Sequence, residues 1–138
     1  MHVTGIQVRF GDTDALGHVN NAVFATYAET ARIDFFRSVA GMYSEPGETG
    51  GFILARLSMD FRAQVLLGQK VEVVTRLARM GNTSLTMEQQ IMADGVVAAD
   101  IEAVAVSFDY EKQRPVRIPV ELRELGERLM RTENQTAD

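Results

Sequence analysis

Cysteine is missing from this 138-residue chain, which removes disulfides, thiol nucleophiles and cysteine-ligated metals from consideration and suits a reducing cytoplasm. Histidine occurs only at His2 and His18, too few for a histidine-built metal centre. No stretch approaches 18 consecutive apolar residues, and the start, MHVTGIQVRF, lacks the charged head and apolar run of a secretory signal. The expectation is a soluble, cytoplasmic protein with no membrane segment. Lysine is scarce as well: Lys70 and Lys112 stand alone, and the other basic residues are arginines. With a net charge of −5 and no block of like charge, the chain carries no electrostatic footprint for nucleic acid. Repeats, linkers and low-complexity segments are absent too. The length fits one domain that buries about two thirds of its unfolded surface.

What is present is periodic. VTGIQVRF, residues 3–10, alternates like a first strand. Phe24, Tyr27, Ala28, Ala31, Phe35 and Val39 then recur at three-to-four spacing, with Ile33, Phe36 and Ala40 widening the stripe. This helix can be capped by Asn20 or Asn21 and stopped by Gly41, and its wide apolar surface calls for enclosure. After the glycine-rich SEPGETGG, four long alternating stretches follow: FILARLSMDFRAQV, KVEVVTRLARM, TSLTMEQQIM and VVAADIEAVAVSFDY. On them, Val71, Val73 and Leu77 share one side, as do Leu85, Met87 and Ile91. The joints LLGQ, MGN and ADG read as hairpins. Past Pro115 and Pro119 the chain closes with a helix over VELRELGERLM, and residues 132–138 read as a frayed tail. Strand, helix, four antiparallel strands and helix make an α+β fold, a long coiled sheet wrapped around one helix. The expected organisation is one domain over residues 1–131.

The polar chemistry concentrates in RFGDTDALGHVNN, residues 9–21. DTDALG begins like a calcium loop, but its fifth and twelfth positions are Leu16 and Val23, where oxygen ligands are required. That leaves no metal site. Asp12, Thr13, Asp14, Gly17 and Asn20 are all turn and cap formers; on that reading Asp12 is a structural carboxylate and His18 a joint residue. The alternative is catalytic. A carboxylate at Asp14, just before a helix whose first N–H groups are unpaired and partly positive, could serve acyl transfer as nucleophile or base.

RFGDTDALGHVNNAVFATYAETAR resembles the N-terminal signature of the 4-hydroxybenzoyl-CoA thioesterase family of hotdog-fold acyl-CoA thioesterases, with looser similarity through MDFRAQVLLGQKVEV and VSFDYEKQRPVRIP. The resemblance implies that Asp14 is the catalytic aspartate and that the backbone N–H of Asn21 polarises the thioester carbonyl. It also implies substrate contacts at Gly17, His18, Phe24 and Tyr27, and at Arg79, Thr83 and Ser84, in the string ARMGNTS, toward the phosphates or pantetheine arm of coenzyme A. ARMGNTS is equally readable as a plain hairpin turn. No metal or organic cofactor is implied beyond the coenzyme A of the substrate, and two subunits would pair their sheets edge to edge as a homodimer or homotetramer. Glu29 either pairs with Arg32 along the helix or lines the pocket, since a second branch of hotdog thioesterases carries its catalytic carboxylate on the helix. Phe24, Tyr27 and the residues near 52–59 are aliphatic or aromatic, which favours a fatty-acyl over a hydroxybenzoyl substrate.

Two other functions stay open at this point. Hotdog enoyl-CoA hydratases pair an aspartate and a histidine in a Gly-Asp-x-Asn-Pro-aliphatic-His string. GDTDALGH is one residue longer and has Asp14-Ala15 where Asn-Pro would stand, which displaces His18 from Asp12. A non-catalytic acyl-thioester-binding protein would keep the fold and the pocket without turnover.

Overall fold

A computed structural model describes residues 1–42 and 51–136 of the chain, with side chains through residue 133. Apart from Gly51, the SEPGETGG segment lies outside the described residues. Strand β1 (His2–Ile6) stops well short of Phe10. Its last residue, Ile6, pairs with Val71, the first residue of its partner strand, so no ladder remains for Val8 or Phe10 to join. The chain instead makes a 3-10 turn over Phe10–Asp12, leaving Phe10 82% exposed.

Helix α1 (Asn21–Ala40) has the ends its residues suggest. The Asn20 side chain accepts from the Ala22 N–H at 2.9 Å, and Gly41 closes the helix at φ 69°, a left-handed conformation that suits glycine. Phe24, Tyr27, Ala28, Ala31, Arg32, Phe35 and Phe36 are buried against the sheet. Enclosure is one-sided, however: Thr26, Glu29, Thr30, Arg37 and Ser38 are exposed on the other face.

The sheet comprises β2 (Phe52–Phe61), β3 (Val71–Met80), β4 (Ser84–Ala93), β5 (Val96–Asp109) and the two-residue β6 (Arg114–Pro115) with β1, in the order β1-β3-β4-β5-β2, β6 pairing with β5. All pairings are antiparallel. Alternation sets the faces: Val71, Val73, Leu77, Leu85, Met87 and Ile91 all point inward and are buried. Register shifts at Leu54/Arg56, Leu77/Arg79 and Ile91/Met92 insert an extra residue into one strand of each pair. Such bulges add local twist, and the sheet coils around α1 as the hotdog fold requires.

Two of the three joints are hairpins. Asp94 and Gly95 both have positive φ, 48° and 80°, in the tight β4–β5 turn. The LLGQ joint is different. Strand β2 pairs with β5 rather than β3, so residues 62–70 cross the end of the sheet, and on the way Val65 accepts from the Val19 N–H at 2.7 Å. Helix α2 (Val120–Thr136) also departs from expectation, continuing past residue 131 through Thr136. Its Gly126 is buried against β3, where an added Cβ would meet Met80 Sδ and lie 2.9 Å from Leu77 Cδ2.

Asp12 ties the loop before α1 to the body of the fold. Only 4% exposed, its carboxylate accepts from the Arg9 N–H (3.0 Å), the Tyr27 hydroxyl (2.8 Å) and the Arg9 guanidinium (3.3 Å). The Asp12 carbonyl accepts from the Asn20 N–H at 3.0 Å, which couples the turn to the helix cap. The Arg9 N–H, reinforced by Tyr27 and the Arg9 guanidinium, holds the Asp12 carboxyl below its ordinary range even though burial opposes this. Burial, and then the Asp12 carboxylate, push the Tyr27 phenol upward.

Two outcomes follow for stability. Gly126→Ala makes the ends of Met80 and Leu77 swing aside, which offsets the nearly 1 kcal/mol that alanine gains in helix propensity over glycine; the urea midpoint should rise by less than that gain or fall slightly, and the full propensity gain would contradict the packing described. Because Asp12 has a folded-state pKa below its unfolded value near 3.9, its contribution is complete above about pH 5 and lost as pH falls through the folded value. Asp12→Asn should therefore cost about 1–3 kcal/mol at pH 7, with the gap to wild type narrowing in urea titrations below about pH 4. A gap independent of pH would contradict this account.

Candidate active site

The residues after Asp12 form a closed loop. The Asp14 N–H donates to the His18 carbonyl at 2.7 Å and the Gly17 N–H to the Asp14 carbonyl at 3.1 Å, with Gly17 in the left-handed region at φ 82°. Asp14 Oδ1 accepts from the N–H groups of Leu16 (2.9 Å) and His18 (3.1 Å), a side-chain-closed turn of the kind aspartate favours. A bridge between Thr13 and Val19 closes the loop on itself, and a bridge between His18 and Leu66, with the Val19 N–H donating to the Val65 carbonyl, clips it to the sheet crossover. These bonds fix the carboxylate through one oxygen. Among the described residues, Asp14 Oδ2 has no hydrogen-bond partner.

Asp14 lines a cavity of about 530 Å³ together with His18, Asn20, Asn21, Phe24, Phe61, Arg62 and Gln64. Asn20 takes the Ala22 N–H on its side chain and the Val23 N–H on its carbonyl, the latter at 2.8 Å. The N–H of Asn21, first in the helix, has no acceptor among the described residues. One free carboxylate oxygen and one free N–H at the positive end of α1 thus belong to residues of the same cavity wall. That pairing suits a reaction in which a base or nucleophile works beside a developing oxyanion.

The other expected site residues separate into groups. His18 and Phe24 line the cavity. Gly17 serves the turn, and Tyr27 is a correction: only 4% exposed, it spends its hydroxyl on Asp12 instead of facing the cavity. Glu29 is exposed two turns along α1 and makes no ion pair with Arg32 within 4 Å among the described residues; both border a second cavity. Arg79, Thr83 and Ser84 sit around the β3–β4 turn. Asp14 is clipped to the crossover beyond Phe61, and Phe61 pairs with Ala99, whereas Ser84 pairs with Val106 far along the same strand. Within one protomer the expected coenzyme residues therefore lie at the end of the sheet opposite the carboxylate.

The dyad of a hotdog hydratase is not assembled, because Asp12 is buried and committed to Tyr27 and Arg9, with no hydrogen bond to His18. No cluster of three or more histidine or carboxylate side chains able to hold a metal occurs among the described residues. Phe61, Arg62 and Gln64 were not legible as site residues, since only the crossover at 62–70 brings them to the loop.

Comparison with known proteins identifies the family. The thioesterase-like superfamily profile matches residues 8–126. The chain is 30% identical over 125 residues to the chloroplastic acyl-acyl carrier protein thioesterase ATL2 of Arabidopsis thaliana, covering 88% of this chain and 66% of that protein's length. It is 27% identical over 116 residues to the acyl-CoA thioester hydrolase YbgC of Escherichia coli O157:H7, covering 83% and 87% of the two chains. A thioesterase from Thermus thermophilus, solved with coenzyme A and zinc, superposes with a TM-score of 0.82 at 38% identity, covering 93% and 92%. With the loop, the helix start and the coiled sheet in place, the chain belongs to the thioesterase-like superfamily.

Proposed function

We propose that this protein hydrolyses acyl thioesters, coenzyme A thioesters foremost, at the Asp14 loop. The observation that carries the proposal is the pair of unclaimed groups on one cavity wall, Asp14 Oδ2 and the Asn21 N–H. In this reading the thioester carbonyl points at the start of α1, where Asn21 and the helix dipole polarise it. Asp14 either attacks the carbonyl carbon directly or draws a proton from an attacking water. On the water route, collapse of the tetrahedral oxyanion gives the acid and expels the thiolate, which takes the proton held by Asp14 and leaves as free thiol; on the direct route, collapse leaves an anhydride between Asp14 and the acyl group, and a water then cleaves it to release the acid, restore the carboxylate and supply the thiol's proton. The substrate's coenzyme is the only cofactor the reaction asks for, and the cysteine-free composition suits the cytoplasmic setting we assign to it.

We further infer a homodimer built through β2. Among the described residues this ten-residue edge strand pairs only with β5, and its inward-facing Leu54 and Phe61 are 46% and 49% exposed in the protomer. An open apolar edge invites a second copy. Antiparallel pairing of β2 with itself sets the Phe61 end of one protomer beside the Phe52 end of the other. The partner's β3–β4 turn then falls at the same end as this protomer's Asp14, which supplies a place for Arg79, Thr83 and Ser84 along the coenzyme arm. The nearest subfamily reading is the 4-hydroxybenzoyl-CoA thioesterase type, with fatty-acyl substrates favoured by the aliphatic lining.

Two variants test the chemistry, read by free-thiol release from a panel of acyl-CoAs. Asp14→Asn should lower kcat by about 10²-fold or more without loss of folding. Asn21→Pro deletes the unpaired N–H at the helix position that best tolerates proline, and Asn20, at φ −60° and ψ 137°, already has the extended backbone a following proline requires. It should lower kcat by about 10²–10³-fold with little change in thermal midpoint. Full activity in both variants would overturn the proposal.

A further inference from the structure

Arg32 is 7% exposed yet lacks a carboxylate. Its Nη1 donates to Gln89 Oε1 at 3.1 Å, and no acidic oxygen lies within 4 Å of the guanidinium among the described residues. Gln89 is itself held in place, its Nε2 donating to the Ala28 carbonyl (3.0 Å) and to Thr75 Oγ1 (3.1 Å). The amide oxygen is therefore committed to Arg32, and the guanidinium is anchored by one arm. Four of its five N–H donors remain. None of its nitrogens is sealed off without a partner, so the free ones reach the cavity that Arg32 borders. That cavity, of about 300 Å³, is otherwise walled by apolar side chains, among them Phe36, Phe52, Leu54, Met87 and Ala105. A buried cation with one neutral acceptor in an apolar wall is costly unless something completes it. Glu29, exposed on the rim of the same cavity, acts favourably on Arg32 through its charge but makes no ion pair with it within 4 Å, so the guanidinium donors stay open.

The cavity's position says what that partner is. It lies eleven residues along α1 from Asn21, a rise of about 16 Å, and it opens on the same side of the helix as the inner face of β2. Between the two cavities that face carries Leu57, half-buried Met59 and Phe61, an apolar stripe that would floor a trench from the Asp14 cavity to Arg32. We propose that Arg32 is a specificity-determining residue, and that the trench accepts an acyl chain of medium length whose far end carries a carboxylate, bound by the guanidinium. This rests on the thioesterase reading for the orientation of the chain, with the thioester at Asp14 and the tail at Arg32. A planar guanidinium with parallel free N–H groups matches a carboxylate in bidentate fashion, whereas a plain methyl terminus would leave it unsatisfied.

The test compares coenzyme A thioesters of equal chain length ending in methyl or in carboxylate. Wild type should favour the carboxylate-ended series by tenfold or more in kcat/KM at one chain length, and that ratio should collapse toward one in Arg32→Met, with Arg32→Lys retaining part of it. Should Arg32→Met fail to fold, the wild-type preference decides alone. Calorimetric binding of the same two thioesters to Asp14→Asn separates this inference from the reaction: tighter binding of the carboxylate-ended thioester supports it even if neither compound is hydrolysed by wild type. Equal kcat/KM and equal binding for the two termini, or a preference that survives Arg32→Met, would overturn it.

Discussion

The hydrogen bond from Tyr27 to Asp12 is the constraint on which the rest depends. It joins the second turn of the central helix to the loop in front of that helix, between the helix cap and the turn that carries Asp14. With Asp12 immobile, its carbonyl fixes Asn20, Asn20 caps α1, and the cap decides which helix N–H stays free. A buried carboxylate satisfied by three donors is an expensive arrangement for a turn alone. Its return lies in rigidity, because a catalytic carboxylate held through one oxygen needs a loop that does not drift.

The two aspartates of one short string illustrate how environment assigns chemistry. Asp12 is enclosed and claimed on both oxygens, while Asp14, two residues on, is exposed and claimed on one. The first is thereby inert and the second available. The same division explains why Tyr27 leaves the substrate face. A tyrosine four residues after Val23 falls on the sheet-facing stripe of α1, where its hydroxyl needs a buried acceptor and Asp12 is the one within reach.

Local pattern carried much of the architecture. Alternation in β3 and β4 identified the inward faces residue by residue, and Asn20 and Gly41 marked both helix ends, because these are properties of neighbours in the chain. The parts that escaped depend on partners far away in sequence. The end of β1 at Ile6 reflects where β3 begins. The crossover at LLGQ reflects that β2 pairs with β5, and a glycine-containing joint between two alternating stretches does not disclose that. The packing of Gly126 on α2 against Leu77 and Met80 of β3 is likewise hidden in a polar sequence. In the site, Asp14, Asn21, His18 and Phe24 were legible from one contiguous string, whereas Phe61 and Gln64 arrive by the crossover. Arg32 looked like half of a surface pair with Glu29, and only the placement of Gln89 on β4 makes it a buried, incompletely paired cation.

An unclaimed N–H at the start of α1 that polarises a thioester carbonyl beside Asp14 leaves its mark on the vibration of that carbonyl. The most direct measurement is the isotope-edited infrared spectrum of a carbonyl-labelled acyl-CoA bound to Asp14→Asn, where slow turnover allows the complex to be observed. The account predicts a carbonyl band moved to lower frequency than in water, and a return toward the solution value when Asn21→Pro is added. A bound carbonyl at its solution frequency, unchanged by Asn21→Pro, would contradict it.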